Sequence, residues 1–281
     1  MPTDFPKKVF HGGHNAADGA GDAVLDVSAS LNPFAPDIPC AFSIDDVRRY
    51  PDDSYAELKE AIGKVFKRPA EEICVGNGSA ELIRVYCMTA PGKSCRINMP
   101  TFGEYALSAE LAGKNVTSDP ENWDIRFICN PDNPTGVMLE RGELCSIISE
   151  AEEKKQQIFV DEAFMDLAET NESVSDVSAD NLFVLRSLTK SFAVPGLRFG
   201  FGFGCPELIE KMETVRTPWS VNSFAEAFAK AAFERYGELR LSAKKISRER
   251  ERLFDGLITL CPFAAAARER LQAAALPYCF I

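Results

Sequence analysis

Short apolar runs, each breaking into a turn of small and polar residues and then into a helical pattern, constrain this chain more than any other feature. Such runs fall at 73–75, 95–99, 125–129, 158–160 and 182–185. Helical spacing of apolar residues is read at 54–66, 80–89, 104–111 and 139–154, between or beside them. Runs this short and this apolar suit strands buried on both faces, and their alternation with helices predicts a mostly parallel sheet with helices on both sides. In such sheets the functional groups gather at the carboxyl ends of the strands. Beyond residue 206 the pattern turns wholly helical, at 207–215, 223–236 and 238–260.

The chain is long enough for one large domain and a smaller one: 281 residues, 46% hydrophobic. A net charge of -11 disfavours nucleic acid or an anionic membrane as partner, and an anionic ligand would need a local basic pocket. Nine cysteines, Cys40, Cys74, Cys87, Cys95, Cys129, Cys145, Cys205, Cys261 and Cys279, include no Cys-x-x-Cys pair and several lie in apolar runs. Reduced, buried thiols in a cytoplasmic protein are expected, with no zinc site. His11 and His14 have no cysteine or acidic cluster near them in sequence, so no metal is expected there either. The first residues lack the apolar stretch of a signal peptide, and no run is long enough for a membrane span.

Lys190 stands just after the apolar run 182–185, between Thr189 and Ser191, with Ser187 before it and Arg198 eight residues on. A lysine where a buried strand breaks into a turn suits condensation with an aldehyde, because desolvation favours the neutral, nucleophilic amine. Ser187, Thr189 and Arg198 could then hold a phosphate. A surface lysine following a core strand fits the same pattern equally well.

Two more strand ends settle the choice. Asn130-Pro131-Asp132-Asn133-Pro134-Thr135-Gly136 follows one apolar run, and Val160-Asp161-Glu162-Ala163-Phe164 closes another. In order and spacing the three segments resemble the pyridoxal-phosphate (PLP) enzymes of aminotransferase fold type I, over residues 10–235. The resemblance implies an α/β chain with a mostly parallel central sheet sandwiched by helices. An arm at 1–45, a large cofactor-binding domain at 46–215 and a small, shortened domain at 216–281 go with it. It assigns Lys190 as the lysine that takes the cofactor aldehyde and later moves protons. Asp161 would pair with the pyridine nitrogen, and Asn133 with the ring 3-oxygen. Phe102 would lie on the ring. Asn77, Gly78 and Ser79, opening a helix, would cradle the phosphate with Ser187, Thr189 and Arg198. Tyr50 would reach the phosphate of a second subunit, which makes a homodimer part of the site. Phe164 departs from the pattern: many aminotransferases carry a tyrosine there, and phenylalanine has no hydroxyl to offer.

His11-Gly12-Gly13, the segment from Leu25 to Pro33, Pro218-Trp219-Ser220-Val221-Asn222 and the two strand ends around Asp161 and Lys190 narrow the resemblance. Together they look like the threonine-phosphate decarboxylases of cobalamin biosynthesis, relatives of the histidinol-phosphate aminotransferases. The implied reaction is decarboxylation of O-phospho-L-threonine, with His11, Gly12, Ser30 and Asn133 touching this small phosphorylated substrate. Ser30 stands where that family has an asparagine. After Leu260 no segment matches the family's substrate-binding arginines, and Arg268 and Arg270 lack the context. An aminotransferase for histidinol phosphate, and a PLP-binding protein without normal activity, are the competing readings.

Overall fold

The computed structural model describes residues 5–13, 28–39 and 43–260. His14, residues 25–27, Cys40, Cys261, Cys279, Arg268, Arg270 and the apolar stub at 276–281 lie outside them.

Seven strands form one sheet: β1 (Ile73–Gly76), β2 (Ser94–Ile97), β3 (Asn115–Thr117), β4 (Ile125–Cys129), β5 (Gln157–Asp161), β6 (Leu182–Ser187) and β7 (Gly200–Phe203). Their spatial order is β1-β7-β6-β5-β4-β2-β3. Every pairing is parallel except those that β7 makes with β1 and β6. The expected strands appear within two residues of their predicted ends. β3 and β7 are additions.

Period two divides the sheet residues between two cores. Ile158, Val160, Leu182 and Val184 face one side with α1 (Ala56–Phe66), α4 (Arg141–Glu153) and α7 (Ser223–Glu234). Phe159, Phe183 and Leu185 face the other with α2 (Ser79–Thr89), α3 (Glu104–Leu111) and α6 (Pro206–Val215). That second face is aromatic. Phe127, Phe159 and Phe183 form a row across β4, β5 and β6 at centroid spacings of 4.9 and 5.4 Å. Tyr86 of α2 meets Phe159 edge-on at 4.8 Å, a favoured quadrupole geometry.

β7 reads Gly-Phe-Gly-Phe, and the glycines are needed for its fit. A Cβ on Gly202 would stand 2.4 Å from the Phe183 ring, and one on Gly200 would stand 2.7 Å from the Ser79 backbone nitrogen. The chain continues through the one-turn helix α5 (Leu188–Ser191) directly from β6, and ends its described part in α8 (Leu239–Leu260).

One buried ionic network ties these parts together. Arg186 on β6 donates to Glu162 Oε2 at 2.7 Å, to Asp166 and to the Tyr236 hydroxyl at 3.0 Å. Tyr236, beyond α7, donates in turn to Asp166 at 2.6 Å. Glu162 also accepts from Ser173 Oγ and the Val174 N–H. Removing one member strands buried charge. Arg186→Ala should therefore destabilise the protein by about 3–5 kcal/mol. Urea unfolding measures this; a loss below about 1 kcal/mol would show that the network carries no weight.

Candidate active site

The carboxyl ends of β4, β5 and β6 open onto one cavity of about 1020 Å³. Asp161 is the last residue of β5 and is buried. Its Oδ2 accepts a 2.7 Å hydrogen bond from the Tyr105 hydroxyl of α3, and its Oδ1 accepts from the Ala163 N–H at 2.9 Å. Burial pushes this carboxyl up to about 6, against the pull of those two donors. Among the described residues it makes no ion pair.

Lys190 lies in α5, which Ser187 caps by accepting from the Thr189 N–H. Burial, and then the Arg198 guanidinium, hold the Lys190 amine below the ordinary lysine range. Its Nζ stands 5.8 Å from the centre of the Phe164 ring. The arm locks this turn from outside. Buried Asn32 donates its backbone N–H to the Lys190 carbonyl at 3.0 Å and its side-chain amide to the Ser191 carbonyl at 2.7 Å.

The turn between β1 and α2 carries Asn77, Gly78 and Ser79. Gly78 has φ +78°, and a Cβ there would stand 2.3 Å from Arg198 Nη2, so the guanidinium lies directly on the glycine. Arg198 also donates to the Pro195 carbonyl at 3.1 Å. The Asn77 N–H is occupied by Glu81 Oε2 at 2.6 Å, so in this arrangement it is not offered to a phosphate.

The loop after β4 is braced in two places. Asn130 clamps both backbone groups of Leu139. Asp132 accepts from Thr101 Oγ1 at 2.8 Å, which ties the loop of Asn133 to the one that presents Phe102. Phe102 meets the His11 ring at 5.5 Å and the Tyr105 ring at 5.5 Å. Glu104, buried at the start of α3, accepts from His11 Nε2 at 2.9 Å.

Of the residues singled out in the sequence, His11, Gly12, Ser30, Asn77, Ser79, Phe102, Asn133, Asp161, Ser187, Thr189, Lys190 and Arg198 all line the cavity. Gly78 adjoins it through Arg198. Tyr50 does not line it: its exposed ring rests on Trp219 at 4.4 Å, with no role in its own chain's pocket. Tyr105, Asn32, Glu104 and Arg84 belong to the site's surroundings and were not singled out for it in the sequence. Tyr105 follows Phe102 by one helical turn, which is the only local sign of it. Among the described residues no three His, Cys, Asp or Glu side chains gather as a metal site, and no helix is long and apolar enough to cross a membrane.

A shielded amine, a buried carboxylate short of a cation and an arginine over a helix start together fit PLP, whose aldehyde, ring nitrogen and phosphate need those three groups. Fold and site thus define a PLP-dependent enzyme of the aminotransferase architecture. The chain belongs to the aminotransferase class I and II family, whose model matches residues 115–268, and its cofactor is pyridoxal 5'-phosphate. It is 30% identical over 254 residues to the threonine-phosphate decarboxylase of Salmonella typhimurium, covering 80% of this chain and 70% of that one. It is 30% identical over 276 residues to histidinol-phosphate aminotransferase 2 of Archaeoglobus fulgidus, covering 92% and 75%. The crystal structure of the histidinol-phosphate aminotransferase of Clostridium acetobutylicum superposes with a TM-score of 0.71 at 29% identity, covering 77% of this chain and 70% of that one.

Three outcomes follow from this geometry. A carboxyl raised by folding contributes stability below the unfolded carboxyl range, and that stability is lost as pH climbs through about 6. Asp161→Asn should therefore stabilise the cofactor-free protein at pH 7.5 by about 1–3 kcal/mol and leave it nearly unchanged at pH 4. The same variant should bind PLP at least about tenfold more weakly, for want of a partner to the ring nitrogen. Thermal melts at the two pH values and a PLP titration measure both. Equal melting of variant and parent at pH 7.5 would sink the idea. Gly78→Ala should weaken PLP binding about tenfold or more through its displaced Arg198 and strained backbone. An unaltered titration would show that the close approach is unimportant.

Proposed function

We propose that this protein decarboxylates O-phospho-L-threonine to aminopropanol phosphate and carbon dioxide, as a PLP-dependent homodimer. The observation that carries this reading is Phe164. Its ring faces the Lys190 amine and has no hydroxyl, where many aminotransferases place a tyrosine. Similarity to the Salmonella decarboxylase, and the seating of His11 and Gly12 in the same cavity as Lys190, support it further.

Lys190 would take the cofactor aldehyde. Asp161, held by Tyr105, would pair with the ring nitrogen, and Asn133 with the ring 3-oxygen. Arg198, Ser79, Ser187 and Thr189 would hold the cofactor phosphate, and Phe102 would cover the ring. When bound, PLP supplies an electron sink for breaking a bond at the substrate's α-carbon. His11, Gly12, Ser30 and Asn133 orient the substrate so that the bond to the carboxylate is the one that breaks. Carbon dioxide would leave, and Lys190, freed by the substrate's amino group and then protonated, would deliver its proton to the α-carbon. Tyr50, exposed on its own chain, reaches the phosphate in the partner's site. Residues 46–215 would form the cofactor domain with an arm at 1–45, and of the small domain expected at 216–281 the helix α7 packs on the cofactor-domain sheet instead.

A second reading has its own support. The Archaeoglobus aminotransferase matches at equal identity over more of the chain, which favours transamination of histidinol phosphate. The two reactions differ in demand, because only transamination consumes a keto acid. PLP-loaded protein mixed with O-phospho-L-threonine should release carbon dioxide with no keto acid present. Turnover of L-histidinol phosphate that depends on 2-oxoglutarate would establish the second reading instead. Lys190→Ala should abolish turnover in either case.

A further inference from the structure

The cavity extends beyond what the cofactor groups enclose. It runs along α2 from Ser79 past Arg84 and meets the arm at His11. There one carboxylate serves two basic side chains. Glu104 Oε1 accepts from His11 Nε2 at 2.9 Å, and Oε2 accepts from Arg84 Nη2 at 3.4 Å. A carboxylate only accepts, so Nε2 carries the ring proton, and the tautomer of His11 is fixed whenever the ring is neutral.

The three side chains differ in how firmly they are held. Glu104 is 8% exposed, while His11 is 46% and Arg84 is 52% exposed. The carboxylate is thus a fixed post, and the two bases stand in the open cavity. Arg84's contact is at the long end of a hydrogen bond, and among the described residues it makes no other ion pair. A guanidinium has five N–H donors, so most of its fork remains to be matched, and the planar fork suits phosphate oxygens. Both oxygens of Glu104 are turned toward bases, which limits its repulsion of an incoming anion.

We propose that Arg84 and His11 form a phosphate-monoester subsite for the substrate, with Glu104 as the positioning residue that sets both. Arg84 is the specificity-determining member. The inference rests on the reading above that an amino compound reacts at Lys190. It holds for either reaction, because O-phospho-L-threonine and L-histidinol phosphate share the monoester.

The test uses full-length protein loaded with PLP. Half-saturation is read from the change in cofactor absorbance on mixing with O-phospho-L-threonine, L-histidinol phosphate and unphosphorylated L-threonine. Arg84→Ala should raise the half-saturating concentration of the two phosphorylated ligands about 10- to 100-fold, the loss expected for a charge-assisted contact. L-threonine should respond as in the parent, and PLP affinity should stay the same. Arg84→Lys should recover part of the loss, and Glu104→Gln should shift the same two ligands in the same direction. Unchanged half-saturation by the phosphorylated ligands in Arg84→Ala would overturn the subsite while leaving the proposed function standing. So would an equal loss for all three ligands, which marks general damage to the pocket. If the parent protein itself does not distinguish phosphorylated ligands from L-threonine, the proposed function falls and the subsite falls with it.

Discussion

Asp161 ends a strand whose side chains are shielded on both faces, and nearly everything at the site depends on keeping its carboxylate there. A lone buried carboxylate is expensive, and folding does not supply it with a cation. Two donors hold it, the Tyr105 hydroxyl and the Ala163 N–H, and both come from elements that face the cavity. The α3 helix must therefore dock with Tyr105 inward, which fixes Phe102 one turn earlier and Glu104 beside it. Lys190 sits in the mirror situation, an amine shielded from water near another cation. Each group is poorly satisfied by the protein's own side chains, and a cofactor with an aldehyde and a basic ring nitrogen would relieve both.

The strand ends carry the chemistry because the loops that follow them are braced to one another. Thr101 joins Asp132, and Asn130 closes its own loop onto Leu139. Asn32 fastens the arm to the Lys190 turn through two backbone carbonyls. Residues that belong to four separate parts of the sequence thus behave as one wall. This is the pre-organisation that a site needs if it is to orient a flexible substrate rather than merely bind it.

Most of the sheet was legible because its strands alternate Ile, Val and Leu with Phe and end at polar turns. The α3 bounds, 104–111, agree with the sequence reading. β7 was not legible, since glycine weakens strand propensity; its need for bare backbone appears only when Phe183 and Ser79 are seen beside it. β3 is a short, polar edge strand with no apolar run to announce it. Within the site, Lys190, Asp161 and Arg198 could be picked out because each follows a strand in a distinctive motif. Tyr105 and Asn32 could not, because their partners lie 56 and 159 residues away. Nothing local in a tyrosine on a short helix tells which carboxylate it will meet. For Tyr50 the chain alone shows a surface ring tilted against Trp219, so any role across subunits needs the second copy.

The joint cover of one sheet face by α1 and α7 has a consequence for how the protein is made. Tyr55 and Val221 exchange two hydrogen bonds across 166 residues of sequence, and α7 packs on α1 beside them. As the chain leaves the ribosome, β1, β4, β5 and β6 are all complete before the last of the helices on this face exists. Their apolar side chains stay only partly covered, by α1 and α4, until about residue 233 has emerged. Closing contacts that distant in sequence is slow, and uncovered strands in the interval can pair with neighbouring chains. Synthesis of this protein therefore passes through a stretch in which chaperone protection matters most, set by where in the gene α7 happens to be encoded.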